Sequence, residues 1–435
     1  MEISIYAILE VGEVDEIKQN CDSFKTILID HYSFRLFCLG GLKMTSLLIE
    51  LYDRHTIEKN VYQAFVSDCD EILYLSTRKI AEEDKLSLKH FLMEQVPHLK
   101  QVHFRQFHLE KICQELDVFI NDFETVTIDV FGGDNLLAIV LYQYGLEKGI
   151  PIIAMDVEQG KQYAWERCKI YDKKLEIPSL SIEQLIALRG GKVLKSRRPQ
   201  HSNKQVLAIK KLAKYAIENP EKWYQITQFF ALAKTTDFHA ETAKVLESNG
   251  KIYSYPSSLI PLFTKANLLK VEEETTDTVT YTFPTPEAHL LCRTKGHILE
   301  LYIYLLALES ECFDECMIGT EIDWNGIFPE ADNVQNEIDV ILRKGHSVVF
   351  ISCKMTDLAV EAINELEVYA NHFAGDNCLK MIVCSGKINP VYSHRCQEYG
   401  VMVIKQDQIQ NLIPMLRKYI CLLYTSDAAD EEDSV

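Results

Sequence analysis

Short apolar runs alternate with helical stretches between residue 45 and about residue 160. Four of these runs are rich in β-branched or aromatic residues and are bounded by polar turns, a pattern that predicts buried strands. They occupy residues 46–52, 71–75, 126–130 and 152–156. The helical stretch between the last two is long enough for a parallel crossover. The pattern therefore predicts an α/β fold with a mostly parallel sheet, which binds ligands beyond the carboxyl ends of its strands.

Polar residues and glycines follow three of the predicted strands, at the edge where such a sheet binds its ligands. Glycine lets backbone N–H groups approach a phosphate, and the N-terminus of the next helix favours an anion. A dinucleotide-dependent dehydrogenase is disfavoured, because Gly132-Gly133 lacks the G-x-G-x-x-G spacing and does not follow the first strand. The candidate ligand-binding residues are Asp53, Arg54, His55, Thr56, Ser76, Thr77, Gly132, Gly133, Asp134 and Asn135.

The pattern changes in the middle of the chain. Residues 185–205 are rich in glycine and basic side chains, which predicts a linker. Helical patterns follow, and two β-rich runs at 268–271 and 279–283 then flank a polar turn. Helices followed by a hairpin predict a small winged-helix-like connector. We expect this connector to be structural, since no helix in it is distinctly basic.

From residue 291 onward the pattern predicts a helix, two strands joined by a tight turn, a second helix and a further strand. Alternate residues of a strand point to the same face, so Glu337 shares a face with Asp339, and Ser352 shares one with Lys354. A charge at the end of the apolar run Val-Val-Phe-Ile is costly unless it is paired or functional. The hairpin is therefore the strongest candidate for chemistry in the sequence.

Phosphodiester hydrolysis needs what this hairpin offers. Carboxylates hold Mg²⁺ or Mn²⁺, which binds the scissile phosphate and supplies hydroxide, and a lysine offsets the charge that develops on the phosphate. An ordinary surface cluster is the simpler interpretation of an isolated Asp–Lys spacing, and the order of the elements is what favours a site. The candidate catalytic residues are Glu300, Glu337, Asp339, Lys354 and Glu365, and the candidate metal ligands are Glu300, Asp339 and Ser352.

The amino-acid composition limits which binding partners and which cellular compartment we expect for this protein. A net charge of −19 disfavours a surface that binds nucleic acid everywhere. The predicted linker is a local exception, with basic residues at Lys192, Lys195, Arg197, Arg198 and Lys204. No signal peptide opens the sequence, and no apolar run approaches the roughly 20 residues that a membrane span needs. The 13 cysteines are scattered. We therefore expect a cytoplasmic protein with reduced thiols and no membrane partner.

The order of elements in the second half resembles the PD-(D/E)xK nucleases, which have a restriction-endonuclease-like fold. Over residues 45–415 the sequence is similar to CRISPR ancillary nucleases that join such a domain to a CRISPR-associated Rossmann fold (CARF) domain. The segments that carry the resemblance are Leu51-Tyr52-Asp53, Ile57-Glu58-Lys59-Asn60, Gly132-Gly133, Met155-Asp156, Ile182-Glu183-Gln184-Leu185, Gly296 to Glu300, Asn336 to Asp339, Ile351 to Lys354 and Asn364-Glu365-Leu366.

The resemblance implies a division of the chain into successive parts. A Rossmann-like CARF domain over residues 44–190 would sense a nucleotide, and a PD-(D/E)xK nuclease domain would occupy residues 291–420. The linker and the winged-helix-like connector fill residues 191–290 between them. Residues 1–43 are an uncertain N-terminal extension, and residues 421–435 are a tail that we expect to be disordered or artefactual.

Two positions depart from the family pattern. The family's turn reads Thr-Gly-Gly-Thr-Lys, whereas this chain has Phe-Gly-Gly-Asp-Asn over residues 131–135, and Asp134 would repel a phosphate. Ser352 stands where the (D/E)xK motif has an acid, and a hydroxyl holds a metal ion only weakly or through water. Glu365 or Glu337 could supply the missing carboxylate.

The resemblance implies a cyclic-oligoadenylate-activated, metal-dependent nuclease that acts in type III CRISPR antiviral defence. The activator, with cyclic tetra-adenylate as the expected ring, would bind across the two-fold axis of a homodimer. Closure of the front domains would then reposition the nuclease domains on a DNA or RNA substrate. Two other interpretations stay open. One is a CARF regulator whose nuclease-like site has decayed, which Ser352 favours, and the other is an unregulated restriction-type DNA endonuclease.

Overall fold

The computed structural model describes residues 45–157, 159–166, 169–326, 334–373, 375 and 378–425. Within them the chain forms two large sheets, one of seven strands and one of six, together with two smaller sheets. The expected extension over 1–43 lies outside the described residues, as does the expected tail beyond its first few residues. No helix in the described part is long and apolar enough to cross a membrane.

The front sheet has five parallel strands followed by an antiparallel hairpin, in the order β3-β2-β1-β4-β5-β6-β7. This arrangement confirms the expected Rossmann-like α/β fold. The strands are β1 (Ser46–Leu51), β2 (Glu71–Ser76), β3 (Gln101–Gln106), β4 (Thr125–Asp129), β5 (Ile152–Asp156), β6 (Lys161–Glu166) and β7 (Lys169–Lys174). The helices between and after them are α1 (Lys59–Val66), α2 (Glu82–Gln95), α3 (Ile112–Ile120), α4 (Asn135–Lys148) and α5 (Ile182–Leu188).

Three strands of the front sheet, β3, β6 and β7, were not predicted, and they lie at its margins. Strand β3 is an edge strand on which only Val102 is fully buried, so its sequence lacks an apolar run. Strand β7 is exposed along its whole length and is largely charged. An edge strand needs fewer apolar residues than a central one, because part of its surface faces water.

The prediction of a linker over residues 185–205 is wrong in its central part. Residues Lys192–Arg197 form strand β8, which pairs antiparallel with a strand of the second large sheet. Its basic side chains meet acids of the second half, as in the ion pair of Lys195 with Glu321 (2.8 Å). Charged pairs at a sheet edge replace the apolar residues by which a strand is usually recognised.

The middle of the chain consists of helices that pack on a small antiparallel sheet, in the order β12-β13-β9, with a separate hairpin β10-β11. Helices followed by the hairpin β12-β13 match the predicted order, and the winged-helix description itself stays a prediction. The elements are α6 (Asn203–Glu218), α7 (Pro220–Leu232), β9 (His239–Ala243), β10 (Val245–Ser248), β11 (Lys251–Ser254), α8 (Ile260–Lys265), β12 (Lys270–Glu274), β13 (Thr278–Thr282) and α9 (Pro286–Arg293).

The second large sheet has the order β18-β17-β16-β15-β14-β8, with β16, β17 and β18 parallel and the others antiparallel. The predicted helix–hairpin–helix–strand order is present, and β14 is an additional strand. The elements are α10 (His297–Ser310), β14 (Glu315–Asp323), β15 (Gln335–Lys344), β16 (Ser347–Lys354), α11 (Val360–Phe373), β17 (Cys378–Cys384), α12 (Pro390–Glu398), β18 (Val401–Lys405), a 3₁₀ helix (Gln406–Asn411) and α13 (Leu412–Thr425).

One apolar core joins the front sheet to the second one. Ile186 of α5, Ile341 of β15 and Phe373 of α11 are buried in the same cluster. Polar contacts cross the same boundary, since the backbone N–H of Ile182 donates to a Glu315 carboxylate oxygen (2.9 Å). The two large sheets are therefore packed directly on each other, and a site formed at their boundary has walls from both.

Candidate ligand cleft and nuclease-like site

A cleft of about 1460 Å³ opens at the carboxyl edge of the front sheet. It lies where β1 and β4 are neighbours and the strand order reverses, which is where open α/β sheets bind ligands. The loops that follow β1, β2 and β4 form one wall. Residues just after β14 and at the end of α11 form the opposite wall, among them Trp324 and His372.

The loop after β1 is held in shape by its own aspartate. Asp53 accepts hydrogen bonds from the backbone N–H of His55 (2.9 Å) and from the Thr56 hydroxyl (2.6 Å). Its own N–H donates to the Asn60 side chain (3.1 Å). Burial by itself raises the pKa of Asp53, but these hydrogen bonds outweigh it and the pKa lies below its ordinary value. The ionised side chain therefore stabilises the loop by its hydrogen bonds and is not directed at a ligand.

The glycine turn after β4 needs its glycines for conformation and for space. Gly132 and Gly133 have φ angles of +81° and +66°, which L side chains rarely adopt. A Cβ on Gly133 would lie 2.7 Å from the Cβ of Leu51, so the turn packs directly on β1. At Gly132 such a Cβ would meet open space.

Asp134, which the sequence predicts to repel a phosphate, caps helix α4. Its carboxylate accepts hydrogen bonds from the backbone N–H groups of Leu136 (2.9 Å) and Leu137 (3.1 Å). These are the amides that a phosphate at the helix N-terminus would use. The expectation that this helix end holds an anion directly is therefore weakened, because Asp134 already occupies it.

The structure brings most of the candidate ligand residues to the cleft. Three of them do not line it: the Thr56 side chain turns back to Asp53, Gly132 faces open space, and Asn135 lies in the first turn of α4. The candidates that line it are Asp53, Arg54, His55, Ser76, Thr77, Gly133 and Asp134.

Three cations of the cleft were not predicted. Arg78 and Lys79 follow Ser76 and Thr77 directly, and neither has an ion-pair partner among the described residues. Their position immediately after a strand end was the available signal. Arg189 could not be found in this way, because it follows α5 and reaches the cleft only through the packing of α5 beside the loop after β1.

Glu300 lies on the buried face of α10, among apolar neighbours. It is only 7% exposed, and its carboxylate binds the imidazole Nδ1 of His297 at 2.8 Å. Burial by itself lowers the pKa of His297, but the hydrogen bond and the charge of Glu300 together raise it above its ordinary value. His297 stands one helical turn before Glu300, so the helical spacing was the signal that sequence reasoning missed.

Asp339 lies on β15 opposite the end of β16. One oxygen, Oδ2, accepts a hydrogen bond from the backbone N–H of Cys353 (2.7 Å) and a longer one from the Ser352 hydroxyl (3.4 Å). The Lys354 ammonium approaches the same oxygen at 3.9 Å. No donor among the described residues contacts Oδ1, so that oxygen is open to a further partner.

The pKa of Asp339 is raised to about 6, chiefly by burial and then by the negative charge of Glu300. Lys354 acts in the opposite direction and is too distant to compensate fully. Two carboxylates that raise each other's energy in a partly buried site are stabilised by a cation between them. The predicted pair of Glu300 and Asp339 is therefore brought together with Lys354 and Ser352 at one site.

Glu337 lies at the open side of this site. It is exposed, and its carboxylate is 4.0 Å from the guanidinium of Arg197, which also approaches Glu287 (3.7 Å). Gly319 of β14 makes room for that guanidinium, since a Cβ there would lie 2.1 Å from an Arg197 nitrogen. Arg197 thus belongs to the site, and the prediction of a linker over this segment concealed it.

Glu365 is exposed on α11 and is not seen in contact with Glu300 or Asp339. Its charge acts on Tyr369, one turn further along the same helix. Within the described residues no group of three or more His, Cys, Asp or Glu side chains is placed to hold a metal ion. Two carboxylates still suit Mg²⁺, which is often bound by one or two carboxylates together with water and substrate phosphates.

Two solved structures have a closely similar fold. One is protein VC1899 from Vibrio cholerae, with a TM-score of 0.63 and 14% sequence identity over 86% of this chain and 97% of that one. The other is Can2 from Sulfobacillus thermosulfidooxidans in complex with cyclic tetra-adenylate, with a TM-score of 0.60 and 19% identity over 86% of this chain and 99% of that one. No family model matches the sequence, and no curated protein matches it.

These comparisons define the class of protein by its fold. The likeness runs through 86% of this chain and nearly the whole of both other chains. At 14% and 19% identity the likeness shows the fold alone. The chain is accordingly a two-sheet α/β protein with a Rossmann-like front part.

Proposed function

We propose that the chain is a cyclic-oligoadenylate-activated, metal-dependent nuclease that acts in type III CRISPR antiviral defence. The observation that carries the proposal is the presence of two sites in one packed chain. A cleft with unpaired cations lies at the switch point of the front sheet, and a buried acid pair lies beside a lysine in the second one. The shared fold with Can2, which was solved with cyclic tetra-adenylate, supports a cyclic oligoadenylate as the ligand.

The cleft suits a ligand that carries several phosphates. Arg54, Arg78 and Lys79 place exposed cationic groups on its front wall. Arg54 also pairs with Asp84 (3.2 Å), so it is already oriented toward the cleft. Phosphates bind well to arginine because its planar guanidinium can donate two parallel hydrogen bonds. A single adenine nucleotide would leave most of the cleft empty, whereas a ring of several would fill it.

A homodimer is part of the proposal, and helix α4 offers a surface for it. Leu136, Ile139 and Leu146 of this helix are 54%, 63% and 43% exposed. They lie at helical spacing on one side of α4, directly after the capping residue Asp134. Pairing two copies through this face would cover the apolar side chains and place two clefts on either side of a two-fold axis. A two-fold ligand would then match a two-fold site.

The second site suits phosphodiester hydrolysis. Glu300 and the open Oδ1 of Asp339 would hold a divalent cation, Mn²⁺ or Mg²⁺, which when bound activates water and polarises the scissile phosphate. Lys354 lies near enough to the same carboxylate to stabilise negative charge that develops on the phosphate oxygens. Arg197 and Lys354 also offset the acids of the site, so that a polyanionic strand is less strongly repelled.

A second candidate function has its own observation. Ser352 takes the place of the acid in the family motif, and the described residues contain no group of three metal-binding side chains. Both facts favour a cyclic-oligoadenylate sensor whose nuclease-like site has lost activity. The intact contacts of Asp339 with Cys353, Ser352 and Lys354 favour the enzyme, because a site that had decayed would have no reason to retain them.

The test is incubation of the full chain and Mn²⁺ with labelled single-stranded DNA, duplex DNA and RNA, with and without cyclic oligoadenylates of different ring size. We expect cleavage of at least one substrate only when an activating ring is present. Binding of a ring without any cleavage would support the sensor. Cleavage that is equal with and without every ring would support the unregulated endonuclease.

A further inference from the structure

The wall of the cleft that faces the front sheet carries two aromatic side chains. Trp324 follows the end of β14, and His372 lies in the last turn of α11. Their rings are stacked, with centroids 4.7 Å apart and planes 21° apart. Burial, and then the charge of Arg189, lower the pKa of His372, which favours the neutral imidazole. A neutral aromatic pair is a surface on which a nucleobase can stack.

This wall is tied directly to the loop after β1. The Arg189 guanidinium donates to the backbone oxygen of His55 (3.1 Å) and to the carboxylate of Glu58 (3.3 Å). Gly375, just past α11, lies so close that a Cβ on it would be 2.0 Å from the same His55 oxygen. The loop after β1 therefore lies in direct contact with the segment just past α11.

The same wall leads to the nuclease-like site. The ring of Trp324 also packs edge-on against Tyr369, with centroids 5.6 Å apart. Trp324 directly follows β14, and Ile322 of β14 pairs with Asn336 of β15. Burial, and then the charges of Glu365 and Asp339, raise the pKa of Tyr369. Asn336 and Asp339 are on the same strand, β15. The ring stack, the edge-on contact and the pairing of β14 with β15 thus connect the cleft to the catalytic strand within one chain.

We propose that Trp324, His372 and Tyr369 transmit occupancy of the cleft to strand β15 of the same chain. This inference rests on the proposed function, since it assumes an adenine ligand and a regulated active site. An adenine that stacked on Trp324 would take the place now held by the His372 ring. The displaced histidine moves the end of α11, and Trp324 and Tyr369 then shift against the paired ends of β14 and β15, giving the two arrangements that coupling requires.

The first experiment separates coupling from binding. In Tyr369→Phe the ring still packs on Trp324, but the hydroxyl that lies near the charges of Glu365 and Asp339 is lost. We expect calorimetry to give an unchanged dissociation constant for cyclic tetra-adenylate, while activation of cleavage falls about tenfold. Tyr171→Phe, an exposed tyrosine of β7, is the matched control and should leave both unchanged. Activation equal to wild type in Tyr369→Phe overturns the proposal, as does a loss of binding that accounts for the whole effect.

The second experiment distinguishes failure of this inference from failure of the proposed function. Tryptophan fluorescence is followed as cyclic tetra-adenylate is added to the wild type and to Trp165→Phe, Trp223→Phe and Trp324→Phe. We expect quenching that disappears only in Trp324→Phe. Heat of binding with fluorescence that does not depend on Trp324 overturns the inference and leaves the proposed function standing. No heat of binding for any cyclic oligoadenylate overturns both.

Discussion

Each of the two large sheets buries a pair of carboxyl groups, and the two pairs have different surroundings. In the front sheet Glu50 of β1 and Asp129 of β4 lie on neighbouring strands, each 3% exposed. In the second half Glu300 of α10 lies close to Asp339 of β15. In each pair the charge of one acid raises the pKa of the other, since Asp129 raises that of Glu50 and Glu300 raises that of Asp339.

The front pair has no cation to offset it. No ion pair joins Glu50 or Asp129 to a basic residue in the described part of the chain, and the Glu50 neighbour across the strand is Tyr74. Burial, and then the charge of Asp129, hold the pKa of Glu50 well above its ordinary value, and burial raises that of Asp129 to about 7. This pair therefore keeps at least one proton at neutral pH and behaves as a nearly neutral part of the core.

The second pair lies among basic groups and at an open edge. His297 binds Glu300, Lys354 approaches Asp339, and one oxygen of Asp339 has no donor. Burial of two acids therefore does not by itself make a metal site. What distinguishes the second pair is access from outside together with nearby positive charge. The predictions below test whether that distinction separates a structural pair from a catalytic one.

The largest expected effect is on cleavage. Asp339→Asn removes the negative charge of a metal ligand but keeps its size and its hydrogen bonds, so we expect cleavage to fall by a factor of about 100 or more. Thermal unfolding should show that the fold is retained. Asp277→Asn, at an exposed turn of the β12-β13 hairpin, is the matched control. Undiminished cleavage by Asp339→Asn would remove this residue from the site.

A smaller effect is expected for the lysine. Lys354→Met keeps the length of the side chain and removes its charge, which should lower the turnover rate by about tenfold or more. Mn²⁺ affinity should change much less, because the ammonium is not a ligand. Calorimetry with Mn²⁺ and initial-rate kinetics separate the two effects. A variant that loses Mn²⁺ affinity and keeps its turnover rate at saturation would contradict this role.

The pair of Glu50 and Asp129 should make the stability of the folded chain depend on pH. The folded chain holds the Asp129 proton up to about pH 7, whereas the unfolded chain loses it near pH 4. Between these values the folded state binds more protons, so stability falls as pH rises through this window. Asp129→Asn keeps an acceptor for the Phe131 N–H and removes this titration.

The melting temperature measured from pH 5 to pH 8 should therefore decline less steeply in Asp129→Asn than in the wild type. Part of the decline remains in the variant, because Glu50 also holds its proton in the folded state. Parallel curves for the two proteins would show that Asp129 ionises normally, and the contrast between the two acid pairs would then fail.

The smallest effect concerns the missing acid of the motif. Ser352→Glu should tighten Mn²⁺ binding several-fold, since a carboxylate there adds a ligand next to Asp339. Ser347→Glu, at the other end of β16, is the control. If Ser352→Glu has no effect, Glu365→Gln should be damaging and Glu361→Gln, one turn earlier on the exposed helix, should not. Neutral results for both Ser352→Glu and Glu365→Gln would contradict our account of the third ligand.

The sequence was sufficient for the parts of the fold that have strong local patterns. The central front strands and the hairpin β15-β16 follow from apolar runs and alternation, which also placed Glu337 on the face of Asp339 and Ser352 on the face of Lys354. Strand β8 could not be predicted, because its pairing depends on acids distant in the sequence. For the same reason Arg197 and Arg189 were missed, since both reach their sites by tertiary packing. Asp134 was expected to repel a ligand and proves to be a helix cap.

The most direct test of the central claim is the rate of cleavage as a function of cyclic tetra-adenylate concentration, measured with Mn²⁺ for the wild type, Arg78→Met and Asp339→Asn. The account predicts a saturable rise for the wild type from a rate near zero. For Arg78→Met it predicts the same maximal cleavage rate, reached only at higher activator concentrations. For Asp339→Asn it predicts no rise in the cleavage rate. A wild-type rate that is independent of cyclic tetra-adenylate and of every other ring would contradict the account.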